Sequence, residues 1–227
     1  MIKMKEIYII AEAGISHNGK LKIAKKLVDV ASDAGANAVK FQTFWDINRL
    51  KKYELPKGDW YTLEQYCIYK DIQFLSTPHT FKAIHFLEDM VTMYKVASTY
   101  LSNINFLKEI ARKNKPILLS VGSLIHDNGM ASKEEIRNAL GFIPNAEVIL
   151  MHCVSKYPCN DPRFDMMYRL KEFNKTIGIS DHSKQIKIPR ASYIEKHIKL
   201  DDNCLDSDVS LNPEEFKQFV NYVRGQK

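Results

Sequence analysis

Two histidines stand where short apolar runs end: His182 closes GISDH and His197 closes YIEKH. Imidazoles at the tips of neighbouring strands can share one divalent ion without being close in sequence, and the alternative for either ring is a hydrogen bond within its own loop. Two lysines are placed as oddly. Lys40 lies inside AVKFQ and Lys95 inside YKVAS, and an ammonium within an apolar strand must meet an anion, lose its charge or reach out to solvent. Together they suit a ligand carrying phosphate and carboxylate. Glu12, in IIAEAG, is a carboxylate whose pKa such surroundings tune, with an ion pair to Lys40 or Lys95 as its simplest structural role. Thr77, Ser98 and Ser180 offer hydroxyls at similar positions, each with a turn or cap as the alternative. His152, after VILM, reads as a satisfied core histidine or a further contact in the same region.

These residues need a frame that delivers them to one place. Short apolar segments at 7–11, 37–41, 72–75, 92–97, 116–120, 147–151, 176–180 and 192–196 predict eight strands, with helices between most of them. LKIAKKLVDVASDAG at 21–35 has apolar residues at helical spacing and stops at Gly35. NFLKEIARKN at 105–114 ends before Pro116, SKEEIRNAL opens with a capping box of Ser132 and Glu135, and NPEEFKQFVNYVR puts Pro213 in a first helical turn. Strands alternating with helices pair in parallel, and eight of them close into a (β/α)8 TIM barrel. An open doubly wound sheet is the alternative, but the first loop, EAGISHNGK, lacks the glycine pattern of a nucleotide turn. Only KQIKIPRA separates Ser183 from Ser192, and Pro189 lies within it, so the last crossover is expected as a single turn or an extended link.

Composition fits one domain spanning 1–227, with 45% hydrophobic against 26% charged residues. The net charge of +6 is scattered along the chain, which argues against nucleic acid and weakly favours small anions. Neither a membrane span nor a signal peptide is read, so a cytoplasmic location is expected. Cys67, Cys153, Cys159 and Cys204 lack paired metal spacing and read as free thiols, with no activating role evident for Cys153.

In order, IIAEAGISHNG, GANAVKFQTF, FLSTP, YKVAS, KPILLSVG, LMHCVSKYP, GISDHS and IEKHI resemble the N-acetylneuraminate (sialic acid) synthase family, which includes pseudaminate and legionaminate synthases. The resemblance spans about residues 5–223. It implies a TIM barrel that condenses phosphoenolpyruvate with an N-acetylated amino-sugar such as N-acetylmannosamine and releases phosphate. It also implies a divalent metal, Mn2+ with Mg2+ or Co2+ as alternatives, on His182 and His197, with Asp181 either supporting a ligand or capping a loop. Lys40 and Lys95 correspond to lysines that bind phosphoenolpyruvate. Ser155 stands where some members have Asn, and Tyr157 can close the pocket; loop packing is the alternative for both. Asp206 lies in DNCLDSDVS, which resembles a GPD-containing loop with Cys204-Leu205 in place of Gly-Pro. By that match Glu12 and Asp206 position the sugar and assist proton transfer, unless Asp206 belongs to a solvated acidic loop. His17 and Asn18 either contact the sugar or cap the first helix. Many members add a C-terminal antifreeze-like domain that reaches a partner's site in a dimer. No such domain is read here, so the expectation is a homodimer or a separate chain supplying the cap. The alternatives to the main activity are another nonulosonate synthase and a barrel that binds ligand or partner without turnover.

Overall fold

The structure, a computed structural model, describes residues 6–45 and 47–226. Its strands are β1 (Tyr8–Gly14), β2 (Ala38–Thr43), β3 (Gln73–Pro78), β4 (Tyr94–Val96), β5 (Ile117–Ser120), β6 (Val148–His152), β7 (Thr176–Asp181) and β8 (Tyr193–His197). All the ladders are parallel, in the order β3-β2-β1-β8-β7-β6-β5-β4. β3 and β4 pack at the seam of this nearly closed TIM barrel. Every expected strand forms, displaced by a few residues at its ends.

The helices are α1 (Leu21–Ala34), α2 (Lys57–Tyr69), α3 (Phe81–Leu87), α4 (Ile104–Ala111), α5 (Lys133–Phe142) and α6 (Pro213–Arg224). Gly35 ends α1 at φ 85°, where a left-handed residue lets its N–H reach back to Ala31 and Ser32 carbonyls. Capping boxes open α5, from Ser132 and Glu135, and α6, from Asn212 and Glu215 with Pro213 at its start. α2 and α3 were not singled out in the sequence. α2 buries Trp60, Leu63 and Cys67 yet leaves Tyr61, Ile68 and Tyr69 exposed, so its apolar residues draw no single stripe. α3 has seven residues and is held at its start by the Thr80 hydroxyl, which accepts from the Ala83 amide.

Strand alternation divides the interior in two. Ile10, Ala38, Leu75, Leu118, Ile149 and Met151 fill the lower lumen, while residues of opposite parity, such as Ile9, Val39, Leu119 and Leu150, pack against the helices. Above the apolar lumen layer the inward positions turn polar, which is where the site lies.

The expected short crossover is present: residues 183–191 contain no helix. Lys196, which points outward from β8, fills the role of crossover packing. Its ammonium is 2.5 Å from Asp181 Oδ2, donates to the carbonyls of Ser183 and Gln185 at 2.6 and 2.8 Å, and lies over the Phe219 ring of α6 at 5.5 Å from its centroid. Asp181 in turn accepts from the Ser183 amide and hydroxyl. The pair is fully buried and both partners are satisfied, the condition under which such a pair holds its surroundings in one arrangement. Between β6 and β7 the connection is a 3₁₀ helix, Phe164–Phe173. Among the described residues, no helix is long and apolar enough to cross a membrane, and the four cysteines are free.

Candidate active site

Four strands send charged side chains to one point in the lumen. Register sets Glu12 of β1 beside Lys40 of β2 on one side and His197 of β8 on the other, and Ser180 of β7 beside Glu195 of β8. Lys40 Nζ is 2.5 Å from Glu12 Oε2 and 3.7 Å from Glu195 Oε2, and it donates to Thr77 Oγ1 at 2.9 Å. Lys95 Nζ is 2.7 Å from Glu195 Oε1, which also accepts from Ser180 at 2.8 Å. Gln42 Nε2 donates to Glu12 Oε1 at 2.9 Å. Two ammonium groups and two carboxylates thus face each other away from water. Burial opposes the charge on Lys40, Glu12 and Glu195, and the balance is decided by neighbours. Burial lowers the Lys40 pKa, but Glu12 and Glu195 outweigh it and leave the pKa raised. Glu195 is pulled well below the usual carboxylate range, because Lys40 and Lys95 outweigh its burial. Glu12 is held above its ordinary value: burial and the Glu195 charge push up more than Lys40 and Gln42 pull down.

The lysines therefore have anions before any ligand arrives, and Glu195, not foreseen in the sequence, is the central one. Period-two alternation was the available signal. If His197 faces the mouth, Glu195 must face the lumen one layer below, and Lys196 between them must face the helices.

His182 follows β7 and His197 ends β8, with ring centroids 5.3 Å apart at 71°. His182 Nδ1 lies 3.0 Å from the Val154 carbonyl and Nε2 lies 2.8 Å from the Tyr157 hydroxyl. A hydrogen bond from Nδ1 to a carbonyl leaves the Nε2 lone pair to accept from the Tyr157 hydroxyl or, in its place, to face a metal, the arrangement by which proteins orient metal-binding imidazoles. The Val154 carbonyl is placed to orient the His182 ring in this way; Asp181, turned outward to Lys196, is not. His197 is pushed well below the ordinary histidine range by burial and by His182, which keeps its ring neutral as a metal ligand must be. Among the described residues no group of three or more His, Cys, Asp or Glu is placed to hold a metal. The two neighbouring imidazoles are nitrogen donors of the kind a borderline divalent ion takes, and such an ion would have to draw its other ligands from water or substrate oxygen.

These groups line a cavity of about 190 Å³. Of the residues singled out by sequence, it brings together Glu12, Lys40, Thr77, Lys95, Ser98, Ser155, Tyr157, Ser180, His182 and His197. Tyr157 is 56% exposed, yet its hydroxyl end points inward to His182. Asp206 stands at the rim: a Cβ at Gly14 would lie 3.2 Å from Glu12 Oε1 and 3.4 Å from Asp206 Oδ2. Burial raises the Asp206 pKa against the pull of His182 and Lys40. His17 and Asn18 lie outside the cavity lining, and neither caps α1, whose N-cap is Lys20 without a side-chain bond. The His17 ring is fully buried against Phe41 and Trp60, and Asn18 ties its loop to the Asn203 carbonyl at 2.7 Å. His152 is a core residue bonded to the Pro162 carbonyl. Cys153 has more company than expected. Burial raises its pKa, but His182 and Lys95 outweigh that and leave the thiol below its ordinary value. Gln42 and His79 also line the cavity without having been marked in the sequence. A larger hollow of about 510 Å³ lies at the N-terminal ends of β5 and β6, beside Pro116 and Glu147, away from the converging buried charges.

A model of the NeuB family matches residues 27–227. The chain belongs to the NeuB family. Within reach of this NeuB-family chain is an uncharacterised protein of Methanocaldococcus jannaschii, 36% identical over 98% of the chain and 71% of the relative. The N,N'-diacetyllegionaminic acid synthase of Campylobacter jejuni is 33% identical over 97% of the chain and 76% of the relative. Among solved structures, the N-acetylneuraminic acid (sialic acid) synthetase of Leptospira borgpetersenii in complex with citrate superposes with a TM-score of 0.88 at 33% identity, covering 96% of this chain and 82% of that one.

Proposed function

We propose that this NeuB-family chain is a phosphoenolpyruvate-dependent sugar-acid synthase, a transferase acting on an N-acetylated hexose such as N-acetylmannosamine in the cytoplasm. The observation that carries the reading is the placement of Lys40 and Lys95, each held by a buried glutamate, beside the His182 and His197 rings. In this reaction C3 of the donor bonds to the aldehyde carbon of the open-chain sugar. Water adds at C2, the bond from C2 to the phosphate oxygen breaks, and inorganic phosphate leaves.

Each residue has a task that its surroundings suit. Lys40 and Lys95 neutralise the donor's phosphate and carboxylate and fix its reacting carbons, aided by the Thr77 and Ser98 hydroxyls. An arriving anion competes with Glu12 and Glu195 for these ammonium groups. Glu12, its carboxyl already held high, takes up or delivers the proton at the sugar aldehyde oxygen. Asp206 orients the sugar from the rim, and Ser155 and Tyr157 close the mouth over it. A divalent ion, Mn2+ or alternatively Mg2+ or Co2+, held by His182 and His197 would supply Lewis acidity toward the aldehyde oxygen.

The test is to incubate the chain with manganese, phosphoenolpyruvate and a panel of N-acetylated hexoses, following phosphate release and product mass. Sugar-dependent phosphate release with a product of the condensed mass is expected. Donor binding without release for any sugar would overturn the catalytic reading. The Campylobacter relative favours a second reading, in which the sugar is a diacetamido hexose. Release confined to such sugars would select it.

A further inference from the structure

His79 follows β3 two residues after Thr77, so both belong to the same lumen-facing wall. Its backbone is pinned on both sides: its amide donates to the Thr43 carbonyl at 2.9 Å, and its carbonyl accepts from the Tyr100 hydroxyl at 2.7 Å. The ring stacks on Phe44 with centroids 4.4 Å apart and planes 14° apart, and Tyr100 stands 5.7 Å away. For such a slot a phenyl ring would pack as well. The imidazole instead carries Nε2 into a buried position with no hydrogen-bond partner among the described residues. A buried polar atom without a partner costs stability, so its presence beside a cavity calls for a ligand that supplies the partner.

The surroundings define that ligand. Among the described residues, the charged side chains that act on the His79 ring electrostatically are those of Lys40 and Lys95. Burial first and then these two lysines push its pKa down to about 3, so the ring stays neutral and can donate one hydrogen bond without adding a third positive charge. An ionised phosphate offers only acceptor oxygens and would select the tautomer with hydrogen on Nε2. Thr77 and Ser98 add hydroxyls on the same wall, as a group with several oxygens requires.

We propose that His79 is a substrate-binding residue whose Nε2–H donates to a phosphate oxygen of the donor, above the Lys40 and Thr77 contacts. This rests on the pocket being the phosphoenolpyruvate site. His79→Phe keeps the ring stack and removes the donor; His79→Gln keeps a donor. Binding of phosphoenolpyruvate, of inorganic phosphate and of manganese is measured separately by calorimetry on each folded variant, together with the thermal midpoint. In H79F both phosphate-bearing ligands should bind about tenfold more weakly, the loss of one hydrogen bond to a charged acceptor. Manganese affinity should not change, H79Q should recover most of the loss, and the H79F midpoint should equal or exceed wild type because the unpartnered nitrogen is gone. If H79F does not fold, His79→Leu replaces it as the donor-free variant. Wild type that binds neither phosphoenolpyruvate nor phosphate would overturn the assignment of the pocket itself. Wild type that binds them, with a donor-free variant of equal affinity, would overturn the role of His79 alone. Weakening of phosphoenolpyruvate binding without weakening of phosphate binding would also overturn it, by assigning His79 to the carboxylate.

Discussion

Replacing Glu195 with Gln tests whether the lumen cluster is a balanced set of charges. Glu195 Oε1 accepts from Lys95 at 2.7 Å and Ser180 at 2.8 Å, and Oε2 lies 3.7 Å from Lys40. Gln keeps the shape and one acceptor, but two ammonium groups are then left facing only Glu12. Removing one partner of a buried pair costs about 3–5 kcal/mol; because Lys40 keeps Glu12 and Lys95 keeps an amide oxygen, the lower end, about 3 kcal/mol, is expected. For a chain of this size that corresponds to a midpoint lowered by roughly 6–12 °C. Calorimetric melts of both proteins without metal at neutral pH check this. Adding inorganic phosphate should raise the variant's midpoint more than the wild type's, since the anion replaces the missing charge. A variant midpoint within about 2 °C of wild type, or an equal response to phosphate, would refute the charge balance.

The remaining predictions address packing, ligands and acid stability. Gly122→Ala would put a Cβ 2.2 Å from Ser155 Oγ and 2.8 Å from Ser98 Oγ, so kcat/KM should fall about a hundredfold while the melt changes little; unchanged turnover would contradict the pocket geometry. His197→Ala should weaken manganese binding at least about tenfold in the absence of substrate, whereas Lys95→Met should stay near wild type. Equal manganese affinity in wild type and H197A would remove His197 as a ligand, and loss in K95M alone would put the ion on the wrong side of the mouth. His17 is pushed down to about 4 by burial, below the histidine value of the unfolded chain. Its contribution is complete above that unfolded value and is lost as pH falls toward 4, a total of about 3 kcal/mol. Urea melts from pH 7 to 4 should therefore show a shallower acid loss for His17→Leu, and parallel curves would count against the assignment.

Much of the barrel was legible because its strands are short, apolar and separated by caps and breakers that act locally. Gly35, the Ser132 box and Pro213 fix helix ends wherever the rest of the chain goes. α2 was opaque because Tyr61, Ile68 and Tyr69 break the stripe set by Trp60, Leu63 and Cys67, and α3 because seven residues hold too few turns for a period. Around the site, residues at strand tips could be found one at a time, but their partners could not. That Glu195 lies between two lysines depends on the β1, β2, β4 and β8 registers together. His17 shows the converse: a histidine in a first loop suits a mouth, yet Phe41 and Trp60 take its ring into the core. Parity carried through the polar ends of the strands separates Asp181 from Ser180 and His182, and Lys196 from Glu195 and His197.

The connection at 183–191 has a consequence for the two imidazoles. His182 directly follows β7 and His197 ends β8, and these are neighbouring strands whose joining segment brings no helix to their outer wall. Their backing is the buried Lys196–Asp181 pair together with Ile179 and Ile194, which pack into the core shared with Phe219 of α6. No crossover helix of their own lies over it, so this wall has fewer contacts to part on opening than one covered by such a helix. An ion gripped by His182 and His197 would act from the inside as a clasp across the same two strands. Ligand occupancy and the integrity of this part of the wall would then be one equilibrium, and amides of β7 and β8 would exchange with solvent more slowly whenever the clasp is shut.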